Sequence, residues 1–202
     1  MSFFFKRKEP AMGEEPKVAL AFLFELVQIA AISLAIIIPV RYFLVQPFYV
    51  KGASMEPNFF DHEYLIIDEI SYRLREPVRG DIMIFRYPAD PKQFFIKRLI
   101  GLPGETVEII EGQIKIYNSE NPNGFVLSED KYLEQPFTAT ARTVTLKDNE
   151  YYVLGDNRVA SLDSRYFGPI TGDMVIGRVW VRGWPLDRWK VFEAPDYVTQ
   201  IQ

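Results

Sequence analysis

The 202-residue chain contains no cysteine. Disulfides, thiolate metal sites and a cysteine nucleophile are therefore excluded, and the chain suits any redox compartment. There is one histidine, His62. A zinc site built on several imidazoles is excluded, and a Ser-His-Asp triad is possible only through that residue. Basic excess is missing as well. The net charge is −4 and the pI is near 5.2, so the electrostatic footprint of a nucleic-acid binder is absent. The chain has no internal repeat and no low-complexity tract.

Long apolar runs are not lacking. From Val18 to Val40 the chain is nearly all apolar, interrupted by Glu25, Gln28 and Ser33. As a helix this run spans about 34 Å, enough for a hydrocarbon layer of about 30 Å. Its Leu, Ile, Phe and Val residues contribute roughly −4 to −8 kcal/mol to insertion, against at most about 3 kcal/mol for Glu25. A cleaved leader would carry a shorter apolar core and a small-x-small site, but this run ends Ile-Pro-Val-Arg-Tyr-Phe. A buried core helix would show a polar face, and Ala30–Val40 scarcely has one. The expectation is a single-pass anchor over 18–43, preceded by a cytoplasmic tail, 1–17. Lys6, Arg7, Lys8 and Lys17 precede the span, while only Arg41 and Lys51 follow closely. That asymmetry places the N-terminus in the cytoplasm and 44–202 outside.

The exported part alternates β-branched and aromatic runs with Gly, Pro, Asn and Asp. Strands are expected at 48–51, 64–68, 82–87, 94–100, 106–110, 113–117, 143–146, 151–154 and 174–182. With no long helix among them, they predict a compact, largely antiparallel β domain, so the fold class is mainly β behind one transmembrane helix. Residues 118–141 are polar and poorly periodic and read as an insertion or flap on that core. Near the end, Trp180, Trp184 and Trp189 stand beside Arg and Lys, which suits either a membrane–water interface or ordinary packing of a final strand.

Three stretches could carry chemistry. Phe94–Glu105 is a short apolar strand closed by a Pro-Gly turn. Alternation sets Lys97 on one face with Phe95 and Leu99, and Arg98 on the other with Ile96 and Ile100. Apolar surroundings lower a lysine pKa; reaching about 7–8 from about 10.4 takes roughly 3–5 kcal/mol of ammonium destabilisation. Taken alone, the stretch better fits an edge strand whose lysine snorkels to water. The second stretch is Gly52-Ala-Ser54-Met-Glu-Pro57, where a strand opens into a turn that can present a hydroxyl and its own N–H in one direction. Serines in turns are commonplace, so this signal is weak alone. His62, flanked by Asp61 and Glu63, reads as a surface turn residue, which leaves Lys97 as the candidate base for Ser54. The third stretch, Tyr151–Gly168, runs from a strand into a loop holding Asp156, Arg158, Ser161, Asp163 and Arg165. Such a loop can orient a neighbouring lysine through a polar network; its bland alternative is a solvated loop with surface ion pairs.

Together these stretches resemble the type I signal peptidases, Ser-Lys membrane proteases that remove signal peptides from exported preproteins. The resemblance rests on four ordered blocks: Gly52–Pro57, Arg79–Phe85, Ile96–Glu105 and Gly155–Arg165. It implies Ser54 as nucleophile, Lys97 as general base and Ser161 as a hydroxyl orienting the lysine. Asp163 with Arg165, and Asp156 with Arg98, are implied as supporting ion pairs. It also implies a β-rich catalytic domain on the outer membrane surface, no metal and no cofactor, and cleavage after Ala-x-Ala sites through an acyl-enzyme. Signal peptides and the lipid bilayer are the expected partners, without nucleic acid; a monomer on a bacterial-type plasma membrane is expected, with a thylakoid as the open alternative. The sequence departs from the family pattern at Val159, where Asp is common, at Asn58, where Thr is usual, and at Gly52, where some members carry a serine for the oxyanion hole. The backbone N–H of Ser54 is then expected to serve the oxyanion. Two rivals are a self-cleaving regulatory Ser-Lys protease, which would have a DNA-binding region in place of the anchor, and a tethered β-domain that binds without catalysis.

Overall fold

In the computed structural model, residues 15–43, 46–133, 140–195 and 197 are described. They form two units that divide between Tyr42 and Phe43. The first is α1, Glu15–Phe43. Its segment Val18–Ile38 is long and apolar enough to cross a membrane, and every large apolar side chain along it is exposed. Most of the expected tail, 1–14, lies outside the described residues.

The second unit is built from strands. β1 (Gln46–Tyr49), β2 (Tyr64–Asp68), β3 (Ile82–Tyr87), β4 (Asp90–Gly101), β9 (Glu150–Leu154), β10 (Ile170–Thr171), β11 (Val175–Trp184) and β12 (Lys190–Val191) share one sheet. Its order is β1-β2-β11-β3-β4-β9-β10, with β12 beside β11. A second sheet, in the order β7-β6-β5-β8, comprises β5 (Thr106–Ile110), β6 (Gln113–Tyr117), β7 (Phe125–Val126) and β8 (Arg142–Thr145). Every pairing is antiparallel. The α-helices of this unit, α2 (Ser71–Leu74) and α3 (Ser164–Phe167), are single turns.

β4 feeds three apolar clusters. Ile96 packs with Val50, Met55, Phe59 and Leu65; Leu99 packs with Met83, Phe85 and Val153; Ile100 packs with the buried residues of the second sheet. The strand alternates as its sequence predicts, and each face meets a different part of the core. It is longer than the apolar run alone suggests, because polar Asp90 also pairs with Tyr87 of β3 across an irregularity at Arg86/Tyr87 that takes in 91–93. Lys97 does not snorkel: the residue is 3% exposed, between β3 and the start of the β9 pairing.

The segment expected as an insertion or flap is knitted in where it is described. β7 pairs with β6, Leu127 is buried in the cluster under the second sheet, and Tyr132 is buried as well. Residues 134–139 lie outside the description. Trp180, Trp184 and Trp189 are all exposed, so ordinary core packing does not account for them.

Candidate active site

The serine turn is held from several directions. Val50 N–H donates to the Glu63 carbonyl and His62 N–H to the Val50 carbonyl, so 51–61 is a closed loop between β1 and β2. Gly52 sits at φ +84°, a conformation that glycine adopts without strain, and its N–H donates to Asp61 Oδ1. Met55, next to the serine, is fully buried and anchors the turn, a burial worth about 1.5–3 kcal/mol. From the far side of the chain, Asn157 N–H donates to the Ser54 carbonyl at 3.0 Å and Asn157 Nδ2 to the Ala53 carbonyl at 3.1 Å. Ser54 is thus half-buried on a braced corner.

Lys97 Nζ lies 2.7 Å from Ser54 Oγ and also donates to the Ile96 carbonyl at 2.8 Å. Burial pushes the lysine down to about 8, against the opposing pull of the Asp163 and Asp156 carboxylates. A lysine so placed is in large part neutral just above that pH, when its lone pair can take the serine proton. Both carboxylates are themselves neutralised. Asp163, with no exposed surface, accepts from Arg165 Nε and Nη2 at 2.8 Å each, from Arg165 N–H, and from Gly155 N–H at 3.0 Å. Asp156 accepts from Arg98 Nε at 2.7 Å and Nη2 at 2.6 Å. Arg98 sits behind the strand, 5% exposed, and donates its third nitrogen to the Gly80 carbonyl at 3.1 Å. Burial alone would lower its pKa, but the Asp156 carboxylate overrides this and raises it.

Ser161 departs from its expected contact. Its hydroxyl is buried and makes no hydrogen bond among the described residues, so no Ser161–Lys97 bond is present. It packs instead on Gly155; a Cβ there would strike Ser161 Oγ and approach the Ser54 carbonyl to 2.5 Å. His62 lies on the surface, its side chain 75% exposed beside Asp61 and in contact with the Tyr49 hydroxyl. Among the described residues no group of His, Asp and Glu is arranged to hold a metal.

A groove of about 790 Å³ opens over the pair, walled by two stretches, Phe48, Tyr49 and Lys51–Ser54 from β1 and its loop and Lys92–Lys97 from β4, with Ala160 and Leu162 completing the lining. β1 is the first strand of its sheet, and the β9 pairing with β4 begins only at Arg98. Both walls therefore present strand edges, a geometry that accepts an extended chain. Lys51 and Lys92 stand exposed on these walls.

Sequence reasoning missed several supports. Asn58, noted only as a departure, donates Nδ2 to Asp156 Oδ2 at 2.9 Å and to the Tyr132 carbonyl at 2.8 Å. Buried Glu63 binds Arg182 and Arg188, and Arg182 also donates to the Asn58 carbonyl at 2.8 Å, propping the serine loop. These partners lie far apart in sequence, and no local pattern announces them.

The family described as Signal peptidase, peptidase S26, matches residues 23–184. The chain belongs to this family. It is 40% identical to the "Probable signal peptidase I-2" of Synechocystis sp., over 79% of this chain and 72% of that relative. It is 35% identical to a signal peptidase I of Leptolyngbya laminosa, over 82% of each, and 30% identical to a signal peptidase IB of Staphylococcus aureus, over 82% of this chain and 92% of that one. A solved signal peptidase I of Enterococcus faecalis V583 is 37% identical, covering 52% of this chain and 97% of that chain, with a TM-score of 0.43. This signal peptidase I family member is a hydrolase, a serine endopeptidase by kinship.

Proposed function

We propose that the protein removes N-terminal signal peptides from exported preproteins by a Ser54–Lys97 dyad. The observation that carries this reading is the 2.7 Å approach of Lys97 Nζ to Ser54 Oγ, from a lysine buried beside a strand-walled groove. Neutral Lys97 takes the Ser54 proton as Oγ attacks the carbonyl carbon at the end of the signal peptide. The oxyanion faces the Ser54 N–H. Collapse expels the amine of the mature protein, which receives the proton from Lys97, and leaves the signal peptide esterified to Ser54. Water deprotonated by Lys97 then attacks the ester, frees the signal-peptide carboxylate and restores Oγ–H.

The substrate lies extended between Phe48–Ser54 and Phe94–Lys97, with small residues at positions −1 and −3 in shallow pockets, the Ala-x-Ala rule. Asp163–Arg165 and Asp156–Arg98 brace the loop behind the lysine, and Ser161 packs within that loop on Gly155. α1 anchors the chain in a bacterial-type plasma membrane, N-terminus inside and β domain outside, with the exposed tryptophans at the lipid–water boundary. No metal or cofactor takes part. The test is incubation of the purified protein and its Ser54→Ala variant with one Ala-x-Ala preprotein. Cleavage at that site by the wild type alone supports the reading; equal behaviour of the two proteins overturns it.

A further inference from the structure

The back of the catalytic loop is roofed by residues that the reaction itself does not use. The Arg98 guanidinium spends its edges on Asp156 and the Gly80 carbonyl, and its face lies 3.9 Å from the centre of the Tyr132 ring. The Tyr132 carbonyl accepts from Asn58, which also holds Asp156, and the Tyr132 hydroxyl donates to Glu129 Oε1 at 2.7 Å. Glu129 receives the two terminal nitrogens of Arg158, whose Nε donates to the Gly155 carbonyl at 3.1 Å. The contacts thus close a ring around 155–158, the loop whose Asn157 grips the Ser54 carbonyl. The chain end completes the cover: Tyr197 donates its hydroxyl to that of Tyr132 at 3.3 Å, and Pro195 and Tyr197 pack so closely on Gly80 that a Cβ there would come within 2.5 and 2.9 Å of them.

We propose that Tyr132 is a positioning residue for the Ser54–Lys97 pair, its ring keeping the Arg98–Asp156 strut dry and in register, with Tyr197 as its outer support. The inference rests on the Ser-Lys reading given above. A cation stacked on an aromatic face with all its edges bonded cannot swing, so Asp156 and the 155–158 loop stay fixed against the serine turn. The charged groups that act on Lys97 are Asp163, paired with Arg165, and Asp156, paired with Arg98. Opening the roof admits water behind β4 and loosens Arg98 from Asp156. Rehydration and a less compensated Asp156 both favour the ammonium form of Lys97.

The test uses the full chain in detergent micelles with an Ala-x-Ala preprotein, each rate normalised to sites titrated by a serine acylating agent. Tyr132→Leu is expected to lower kcat about 10- to 100-fold with KM little changed, because the groove walls are untouched. Its acid limb should move up by about half a pH unit or more. Tyr132→Phe keeps the ring over the guanidinium and should recover most of the rate. Tyr197→Leu, which keeps an apolar side chain against the cluster under the second sheet, should move the limb the same way by less, and it tests the idea if Tyr132→Leu does not fold. Unchanged acid limbs in the folded variants overturn the proposal, as does a Tyr132→Phe variant as poor as Tyr132→Leu. A wild type that neither cleaves nor is acylated overturns the Ser-Lys reading instead.

Discussion

The two faces of β4 carry adjacent cations that are buried almost equally, yet burial does opposite things to them. Among the described residues Lys97 has only a hydroxyl and a carbonyl within hydrogen-bonding reach of its nitrogen, and desolvation drives it down to about 8. Arg98 has a two-pronged carboxylate, a carbonyl and an aromatic face, and its pKa rises. Burial without a carboxylate partner makes a base; burial with one makes a strut. The side-chain types fit this division. Lysine can give up its proton at accessible pH, whereas arginine cannot.

The sharpest way to break the contrast is to give the groove face an arginine. Lys97→Arg keeps the charge but removes the base, and preprotein cleavage is expected to fall by about 10³-fold or more, measured as kcat/KM. Attacking the other face comes next. Asp156→Asn leaves Arg98 buried without its counter-charge, which should cost about 3–5 kcal/mol of stability by denaturant unfolding as well as activity. Removing the base has the opposite thermodynamic sign. In the folded state Lys97 titrates near 8 rather than 10.5, so between those values the unfolded chain binds more protons. Its contribution to stability therefore rises as pH climbs from about 8 to 10.5, and below 8 it represents about 3 kcal/mol of destabilisation. Lys97→Met should be more stable than wild type at pH 7 by up to that amount, and the difference should shrink as pH approaches 10. The same titration makes wild-type kcat/KM rise with pH through about 8. The smallest effect is expected at His62→Ala, within about twofold of wild-type cleavage, since an exposed turn residue carries none of the chemistry.

The strands at 64–68, 82–87, 106–110 and 113–117 were legible to the residue, because each is a β-rich run cut off by turn-forming residues. β7, β10 and β12 were not, since two residues carry no periodicity. The separation into two sheets was also invisible: it depends on which runs pair, as when Arg98 meets Leu154 across fifty-odd residues of chain. In the site, Ser54 and Lys97 were named as a pair through the resemblance of the four ordered blocks, because a serine in a turn and a lysine in a strand are each weak signals alone. The roof of Tyr132, Glu129 and Tyr197 had no such signal, for a polar, aperiodic segment looks the same whether it hangs in water or packs on a buried arginine. Ser161 shows the converse, a hydroxyl named from a motif whose expected bond is absent from the structure.

The bare strand edges that wall the groove have a second consequence. An unpaired edge will accept any extended chain, including the same edge of another copy, and so invites sheet-to-sheet aggregation. Lys51 and Lys92 stand exposed on the two walls. Two copies meeting edge to edge would bring like charges together, whereas an uncharged segment meets no such repulsion. The groove that admits a substrate thus carries its own deterrent against self-association.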